Sequence, residues 1–308
     1  MMNIVVEVLV LTYKRPRLLT DTLLSLSQQQ LPAGIEMRIV VVDNDPAQSA
    51  ARIVQEMSET LRLQVHYVTE PVANIAAARN RALSEARGAF AAFIDDDEVA
   101  DPQWLSLLLE AQQRFQVAVV FGPVLSRLPA VVAPWIKRGG FFDRPRRPSG
   151  PTSAYSGTGN VLLDMTAVRS SGVRFNVDYG RSGGEDTEFF FQLRRAGCGT
   201  AWCDEALVWE QVSADRATAR WLLRRSFNGG NNYARIFDRR LRAIPRIAFA
   251  FRHAFIGLAS SILTPFAWLA GGPVRGLRVG QLSARSLGRL VGVLSPREIS
   301  RTSLGTSE

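Results

Sequence analysis

The sequence predicts an α/β fold: a central mixed sheet flanked by helices, followed by a helical C-terminal extension. Three observations carry this. Short β-branched apolar runs alternate with amphipathic or alanine-rich stretches through the first hundred residues, which is the β-α-β-α-β-α-β pattern of a sheet with crossover helices. Several of those runs end abruptly at polar clusters, where strands leave a sheet. The basic side chains gather late. Residues 216–308 hold 16 basic and 3 acidic side chains, a balance of +13, while residues 1–215 hold 21 and 25, a balance of −4. At 308 residues, 46% hydrophobic and 21% charged, the chain is long enough to bury a full core and too apolar for wholesale disorder.

Residues 4–11 (IVVEVLVL) read as a buried first strand. The same run is too short, and lacks the basic leader and cleavage site, to be expected as a secretory signal. A turn at Thr12 to Pro16 leads to a helix from about Arg17 to Gln28. Met37 to Val42 is a second strand, stopped by Asp43-Asn44-Asp45-Pro46. Ala50 to Thr60 suits a helix, Leu63 to Val68 a short strand, and Ala76 to Ala86 a helix stopped by Gly88. Phe90 to Ile94 is a fourth strand that runs into Asp95-Asp96-Asp97-Glu98. Ligands in such sheets sit beyond the C-terminal strand ends, so Thr12–Arg15, Asp43–Asp45 and Asp95–Glu98 are expected to converge.

Beyond this, residues 101–115 read as a helix and Ala118 to Phe121 as a strand. Residues 126–152, rich in Pro, Gly and Arg, read as a long loop. Ser156 to Asn160 precedes an apolar run, Val161 to Leu163. Gly183-Gly184-Glu185-Asp186 opens a helix over Thr187 to Ala196, and Trp202 to Trp209 reads as an edge strand. Cys198 and Cys203 make neither a disulfide framework nor a metal pair, which points to a reducing compartment.

Asp95-Asp96-Asp97 is the sharpest chemical feature. Carboxylates crowded on one turn repel unless a cation sits among them, and Mg²⁺ or Mn²⁺ takes oxygen ligands while keeping positions for diphosphate oxygens. A solvated acidic loop is the plain alternative. Glu185-Asp186 at a helix start is favoured by the helix dipole as a cap; equally, a carboxylate there can serve as general base toward a hydroxyl. Asp43 suits either a nucleobase N–H or the turn before Pro46. Arg79-Asn80 suits either phosphate or a helix face, and Thr12 and Tyr13 a base or ribose. His66, His253, Trp202 and Trp209 read as core, surface or cleft-wall residues. The chain has no phosphate-binding Gly-x-x-x-x-Gly-Lys loop, no Gly-x-Gly-x-x-Gly after the first strand and no Gly-x-Ser-x-Gly elbow.

The pieces Val8 to Arg15, Val40-Val41-Val42-Asp43-Asn44, Asn74 with Ala78-Arg79-Asn80, Phe93 to Asp97, and Gly184-Glu185-Asp186 with Phe189 and Arg194 resemble, in order and spacing, the family 2 glycosyltransferases of GT-A fold. Trp202 to Arg225 resembles a bacterial exopolysaccharide subgroup of succinoglycan type. The resemblance implies a Rossmann-like GT-A domain over 1–235, with an extension over 236–308. It implies that Thr12, Tyr13, Arg15, Asp43, Arg79 and Asp95 hold the nucleotide, Asp43 on the base. Asp97 and Asp95 would bind Mg²⁺ or Mn²⁺. Asp186 would be the catalytic base with Glu185 beside it placing the acceptor, and Gly157, Asn160 and Gly184 would line the sugar and acceptor site. Many relatives place a metal-binding His after the Glu-Asp pair; here Val208-Trp209-Glu210-Gln211 has none, and either Glu210 substitutes or Asp97 and the diphosphate suffice. The implied partners are a nucleotide sugar, by default UDP-linked, and a glycan or polyprenyl-diphosphate-linked acceptor. The rival readings are a sugar nucleotidyltransferase, whose glycine-rich N-terminal loop is missing, and a non-catalytic scaffold with a degenerate transferase fold.

The basic extension seeks phosphate. It lacks a nucleic-acid-binding signature, and its arginines interleave with Leu, Ile, Phe and Trp, which suits the cytoplasmic face of an anionic membrane. Ala254 to Pro273 is twenty residues without a charge, long enough to span. Pro265, Pro273 and basic flanks on both sides, including Arg242, Arg246, Arg252, Arg275, Arg278, Arg285 and Arg289, favour an interface-lying or re-entrant segment instead.

Overall fold

The computed structural model describes residues 4–153, 157–238 and 243–294; Ser156, Arg242 and everything past 294 lie outside the described residues. In order, the elements are β1 (Ile4–Thr12), α1 (Pro16–Ser27), β2 (Ile35–Asp43), α2 (Ala51–Leu61), β3 (Val65–Thr69), α3 (Ile75–Glu85), β4 (Phe90–Asp95), β5 (Glu98–Ala100) and α4 (Trp104–Phe115). There follow β6 (Val119–Phe121), β7 (Val124–Arg127), α5 (Pro134–Gly139), β8 (Gly150–Pro151), β9 (Val161–Asp164), α6 (Met165–Ser171), α7 (Glu185–Arg195), β10 (Thr200–Trp202), β11 (Val208–Gln211), α8 (Ala219–Ile236) and α9 (Ala243–Leu294). An eight-stranded sheet runs β3-β2-β1-β4-β9-β6-β10-β8, and a three-stranded sheet runs β5-β11-β7.

The first half follows the sequence pattern. β1 pairs in parallel with β2 and β4, and β2 with β3. β9 is antiparallel to both β4 and β6, which makes the sheet mixed. Alternation along β1 sorts its side chains: Val6, Val8 and Val10 join the core on one face with Leu19, Leu23 and Trp104, and Leu9 joins the other with Phe93, Phe121 and Phe189. Each fully buried Leu or Phe contributes about 1.5–3 kcal/mol. Glu7 is the exception on β1. It is buried, and its carboxylate accepts from the Gly88 backbone N–H at 2.7 Å. Gly88 therefore does not stop α3, whose cap is Ala86; it lets the chain pass 2.6 Å, measured from the Cβ any other residue would carry, from the Val5 carbonyl.

Two expectations are corrected. Residues 126–152 are not all loop, because α5 and β8 lie within them. Pro134 sits at the first helical turn, where its missing N–H costs nothing. Trp202 to Trp209 is not one edge strand. β10 pairs in parallel with β6 inside the large sheet, and β11 belongs to the small one, antiparallel to β5.

The chain divides into two compact units. The first comprises residues up to 126, 144–180 and 185–211; the second comprises 127–143, 181–184 and the chain from 212 onward. The second unit takes in α8 as well as α9, and its small core packs Ile136, Phe142, Val212, Leu222 and Leu277 together.

Candidate active site

Parallel pairing sets the strand ends side by side. Thr12 is opposite Asp43 and Leu11 opposite Asp95 in register. β4 then turns through Asp96 and Asp97 into β5. The turn is tightly held. Thr12 Oγ1 donates to Asp96 at 2.7 Å, Glu98 accepts from the Asp95 N–H at 2.9 Å, and the Thr22 hydroxyl donates to the Glu98 carbonyl at 2.7 Å. Arg15 reaches Asp97 at 3.2 Å and Asp96 at 3.4 Å.

α7 brings the second acidic group. Phe189, Phe190 and Leu193 are buried on one helical face, with Phe175 stacked on Phe189 at 3.9 Å and Phe121 edge-on to Phe190 at 4.7 Å. Glu185 lies one turn before Phe189 on that face, so packing of the phenylalanines carries the helix N-terminus into the site. Glu185 is buried and bonded to Arg79 of α3 at 2.5 Å. Arg79 also feels Asp186 and Asp95, and these charges hold its pKa above the ordinary value against the opposing cost of burial. One guanidinium is thus bonded to Glu185 and lies in the field of Asp186 and Asp95. An Asp186 oxygen comes within 3.1 Å of where a Cβ at Gly157 would stand, so the glycine leaves Asp186 open on that side.

The electrostatics follow burial. Burial pushes Asp95 up to about 6, with Arg79 pulling it down and Asp97 and Asp96 pushing it up further. Glu98 is raised well above the ordinary range by burial and then by Asp95. β11 places Glu210 opposite Glu98 in register, two like charges that repel directly across a sheet. Arg144 offsets them by pairing with Glu210. The residues named here set eight carboxylates against three arginines, Arg15, Arg79 and Arg144. A surplus of hard oxygen donors among buried, mutually repelling groups fits a divalent cation, although no three metal-type side chains converge as a preformed cage among the described residues.

Several sequence expectations change in role. Asp43 is fully buried and accepts from the Asp45 N–H (3.0 Å), the Ala50 N–H (2.9 Å) and the Tyr67 hydroxyl (2.9 Å). It is the turn-forming alternative that the structure displays, not an exposed base acceptor. Asn160 is likewise buried, accepting from the Trp104 indole at 2.8 Å and donating to the Pro123 and Ala206 carbonyls; it holds the sheet rather than lining a sugar pocket. Arg79 and Glu185 face each other instead of open solvent, so neither offers a free side chain to a nucleotide or an acceptor. Tyr13 is exposed, and Gly183 and Gly184 have φ of +85° and +94°, which only glycine adopts readily. The sequence reading named Glu98 and Glu210 but not that they stand opposite each other, because only β5–β11 pairing brings them together.

The fold and the strand-end carboxylates define a nucleotide-sugar-type α/β transferase architecture. The chain belongs to glycosyl transferase family 2: that family's model matches residues 7–170, and a model described as glycosyl transferase family group 2 matches residues 91–283. It is 35% identical over 268 residues to "Succinoglycan biosynthesis protein ExoM" of Rhizobium meliloti (strain 1021), covering 85% of this chain and 86% of that protein. It is 32% identical over 99 residues to "Poly(ribitol-phosphate) beta-N-acetylglucosaminyltransferase TarS" of Staphylococcus aureus (strain Mu50 / ATCC 700699), covering 32% of this chain and 17% of that one. The crystal structure of S. aureus TarS 1-349 superposes with a TM-score of 0.56 at 15% identity, over 93% of this chain and 90% of that chain. The same fragment in complex with UDP-GlcNAc gives 0.54 at 15% identity over the same shares.

Proposed function

We propose that this glycosyltransferase is an inverting enzyme that moves a sugar from a nucleotide diphosphate, UDP by default, to a hydroxyl of a glycan or lipid-linked acceptor. The setting is surface or exopolysaccharide biosynthesis at the cytoplasmic face of the membrane. The carrying observation is the buried Arg79–Glu185 pair at the start of α7, next to Asp186, together with the crowded Asp95–Asp97 turn at the end of β4. The ExoM likeness supports the pathway class, and the UDP-GlcNAc complex of a TarS fragment supports the donor class.

The chemistry follows from the residues. The sugar–diphosphate bond breaks with positive charge developing at the anomeric carbon. Asp186 accepts the proton of the acceptor hydroxyl as that oxygen attacks from the face opposite the diphosphate, so a single displacement inverts the centre. Arg79 is locked to Glu185, the residue before Asp186 at the start of α7. Thr12 and Arg15 hold the Asp96–Asp97 turn, and Tyr13 is exposed to meet the nucleotide. Asp97 and Asp95, with Glu210, would hold Mg²⁺ or Mn²⁺, which would supply positive charge to offset that of the leaving diphosphate.

The test is a nucleotide-sugar panel with Mg²⁺ or Mn²⁺, following binding and hydrolysis by wild type, Asp97→Ala and Asp186→Asn. One donor should turn over with wild type. Asp97→Ala should lose metal-dependent binding, and Asp186→Asn should bind normally while turnover falls by about 10²–10⁴-fold. Metal-dependent binding without turnover in wild type leaves the scaffold reading in place, and no binding at all makes the carboxylates structural.

A further inference from the structure

We infer that α9 is a hairpin that lies flat in one leaflet of an anionic membrane, with its first arm as the lipid-contacting face. The inference deepens the membrane localisation proposed above and rests on it. α9 is not one continuous helix: Gly272, with φ +70° and ψ −174°, folds residues 243–271 back against residues 273–294. The seam between the arms is small and polar. A Cβ at Gly257 would meet Leu287 at 2.9 Å, one at Gly276 would meet Trp268 at 2.8 Å, and the hydroxyls of Ser261 and Ser283 lie 2.6 Å apart. The Ser283 hydroxyl also lies 3.0 Å from the Gly257 carbonyl. The second arm is covered on another side by α8, where Gly230, Gly288 and Gly292 each abut backbone of the opposite helix.

The first arm is thus inverted for a helix in water. Its inner face carries His253, Gly257, Ser260 and Thr264. Its bare face carries Ile247, Phe251, Phe255, Leu258, Ile262, Phe266 and Leu269, with Phe251 72% exposed and Phe255 and Leu269 74%. The spacing of four, four, three, four, four and three keeps these on one stripe, and at about 1.5 Å per residue it runs roughly 33 Å. Between Ile247 and Gly271 the sole charged side chain outside histidine is Arg252. Small and polar groups inside with large apolar groups outside is how helices pack when lipid is the solvent.

Charge decides how the hairpin sits. Arg275, Arg278 and Arg285 are exposed on the second arm. In a spanning hairpin Arg285 falls about 20 Å from the turn, within the hydrocarbon, and Arg275 and Arg278 are carried across with the turn. Laid flat, the first arm buries its stripe at the headgroup boundary and the arginines meet phosphates. The balance of +13 over 216–308 selects the occupant: a second copy would bring like charges together, and anionic lipid neutralises them.

The full chain carrying single reporter cysteines in place of Phe251, Leu258 or Leu269 would be labelled with an environment-sensitive fluorophore. It would be mixed with vesicles of phosphatidylglycerol and phosphatidylethanolamine bearing nitroxides at set depths. All three labels are expected to be quenched best by the same shallow nitroxide, with at least tenfold weaker binding to phosphatidylcholine vesicles. A depth that grows steadily from 251 to 269 overturns the flat hairpin and leaves membrane association standing. No quenching in any vesicle overturns both, and a concentration-dependent rise in mass in the same samples assigns the stripe to a second copy. The unlabelled triple variant Phe255→Asp, Leu258→Asp, Phe266→Asp should lose vesicle flotation while keeping nucleotide-sugar hydrolysis. Retained flotation by that variant overturns the assignment of the stripe.

Discussion

A guanidinium buried among three carboxylates constrains every substitution around it. Arg79 and Glu185 are both nearly inaccessible, and the second Glu185 oxygen has no hydrogen-bond partner among the described residues. Removing one member leaves the other charge buried and unpaired, which costs about 3–5 kcal/mol. Glu185→Ala should therefore lower the urea midpoint steeply, while the double change Arg79→Met with Glu185→Leu should lose much less. If Glu185→Ala unfolds where wild type does, the pair is not a clamp. Asp95 gives a pH test. Its folded pKa of about 6 lies above the ordinary 3.8, so the folded chain keeps the proton longer than the unfolded one, and stability falls as pH rises through that window. Measured with chelator, the unfolding free energy of Asp95→Asn relative to wild type should rise by about 2 kcal/mol between pH 4 and pH 7. A constant difference would mean that Asp95 titrates as an open carboxylate. What sequence alone conveys at this scale is residue type and strand-end position, enough to single out Asp95, Asp97 and Asp186. It does not convey which way a side chain turns, and so Asp43 and Asn160, polar residues at plausible places, prove to be buried and bonded, Asp43 to two backbone N–H groups and the Tyr67 hydroxyl, Asn160 to two carbonyls and the Trp104 indole.

Elements with strong local signals were legible, β6 among them with only three residues, and the strands of the small sheet were not. β1, β2 and β4 are apolar runs ended by polar turns, so hydrophobic burial and turn chemistry agree on them. β5, β7 and β11 span three or four residues each and exist only through one another, with no period to read. The same holds for Arg144 and Glu210, 66 positions apart, whose meeting depends on β11 finding β5. Helix contacts in the second unit show how tertiary packing reverses a propensity. Within a helix, Gly→Ala ordinarily gains up to about 1 kcal/mol. At Gly288 the added Cβ would stand 2.0 Å from the Phe227 carbonyl, which is backbone and cannot yield cheaply. Gly288→Ala should thus be destabilising, by about 1–3 kcal/mol, and lower the thermal midpoint of the lipid-bound protein. A raised midpoint would show that α8 and the second arm of α9 are not packed this closely.

For the whole molecule, charge segregation and burial address different partners. The first 215 residues are slightly acidic, with carboxylates crowded at the Asp95–Glu98 turn; the remainder is strongly basic around an apolar stripe. Two forces then act on membrane binding, and salt separates them. The apolar term depends on area and changes little with ionic strength. The arginine term, about 1 kcal/mol for each residue near the surface, weakens as the Debye length shrinks from about 10 Å at 0.1 M to about 3 Å at 1 M. Flotation on anionic vesicles should consequently fall as salt rises from 0.1 to 1 M but stop short of zero. Charge reversal of Arg275, Arg278 and Arg285 to Glu should flatten that dependence at a lower level of binding. Complete release by salt would mean that the exposed phenylalanines and leucines never enter the lipid, and salt-independent binding would mean that the arginines do not face it.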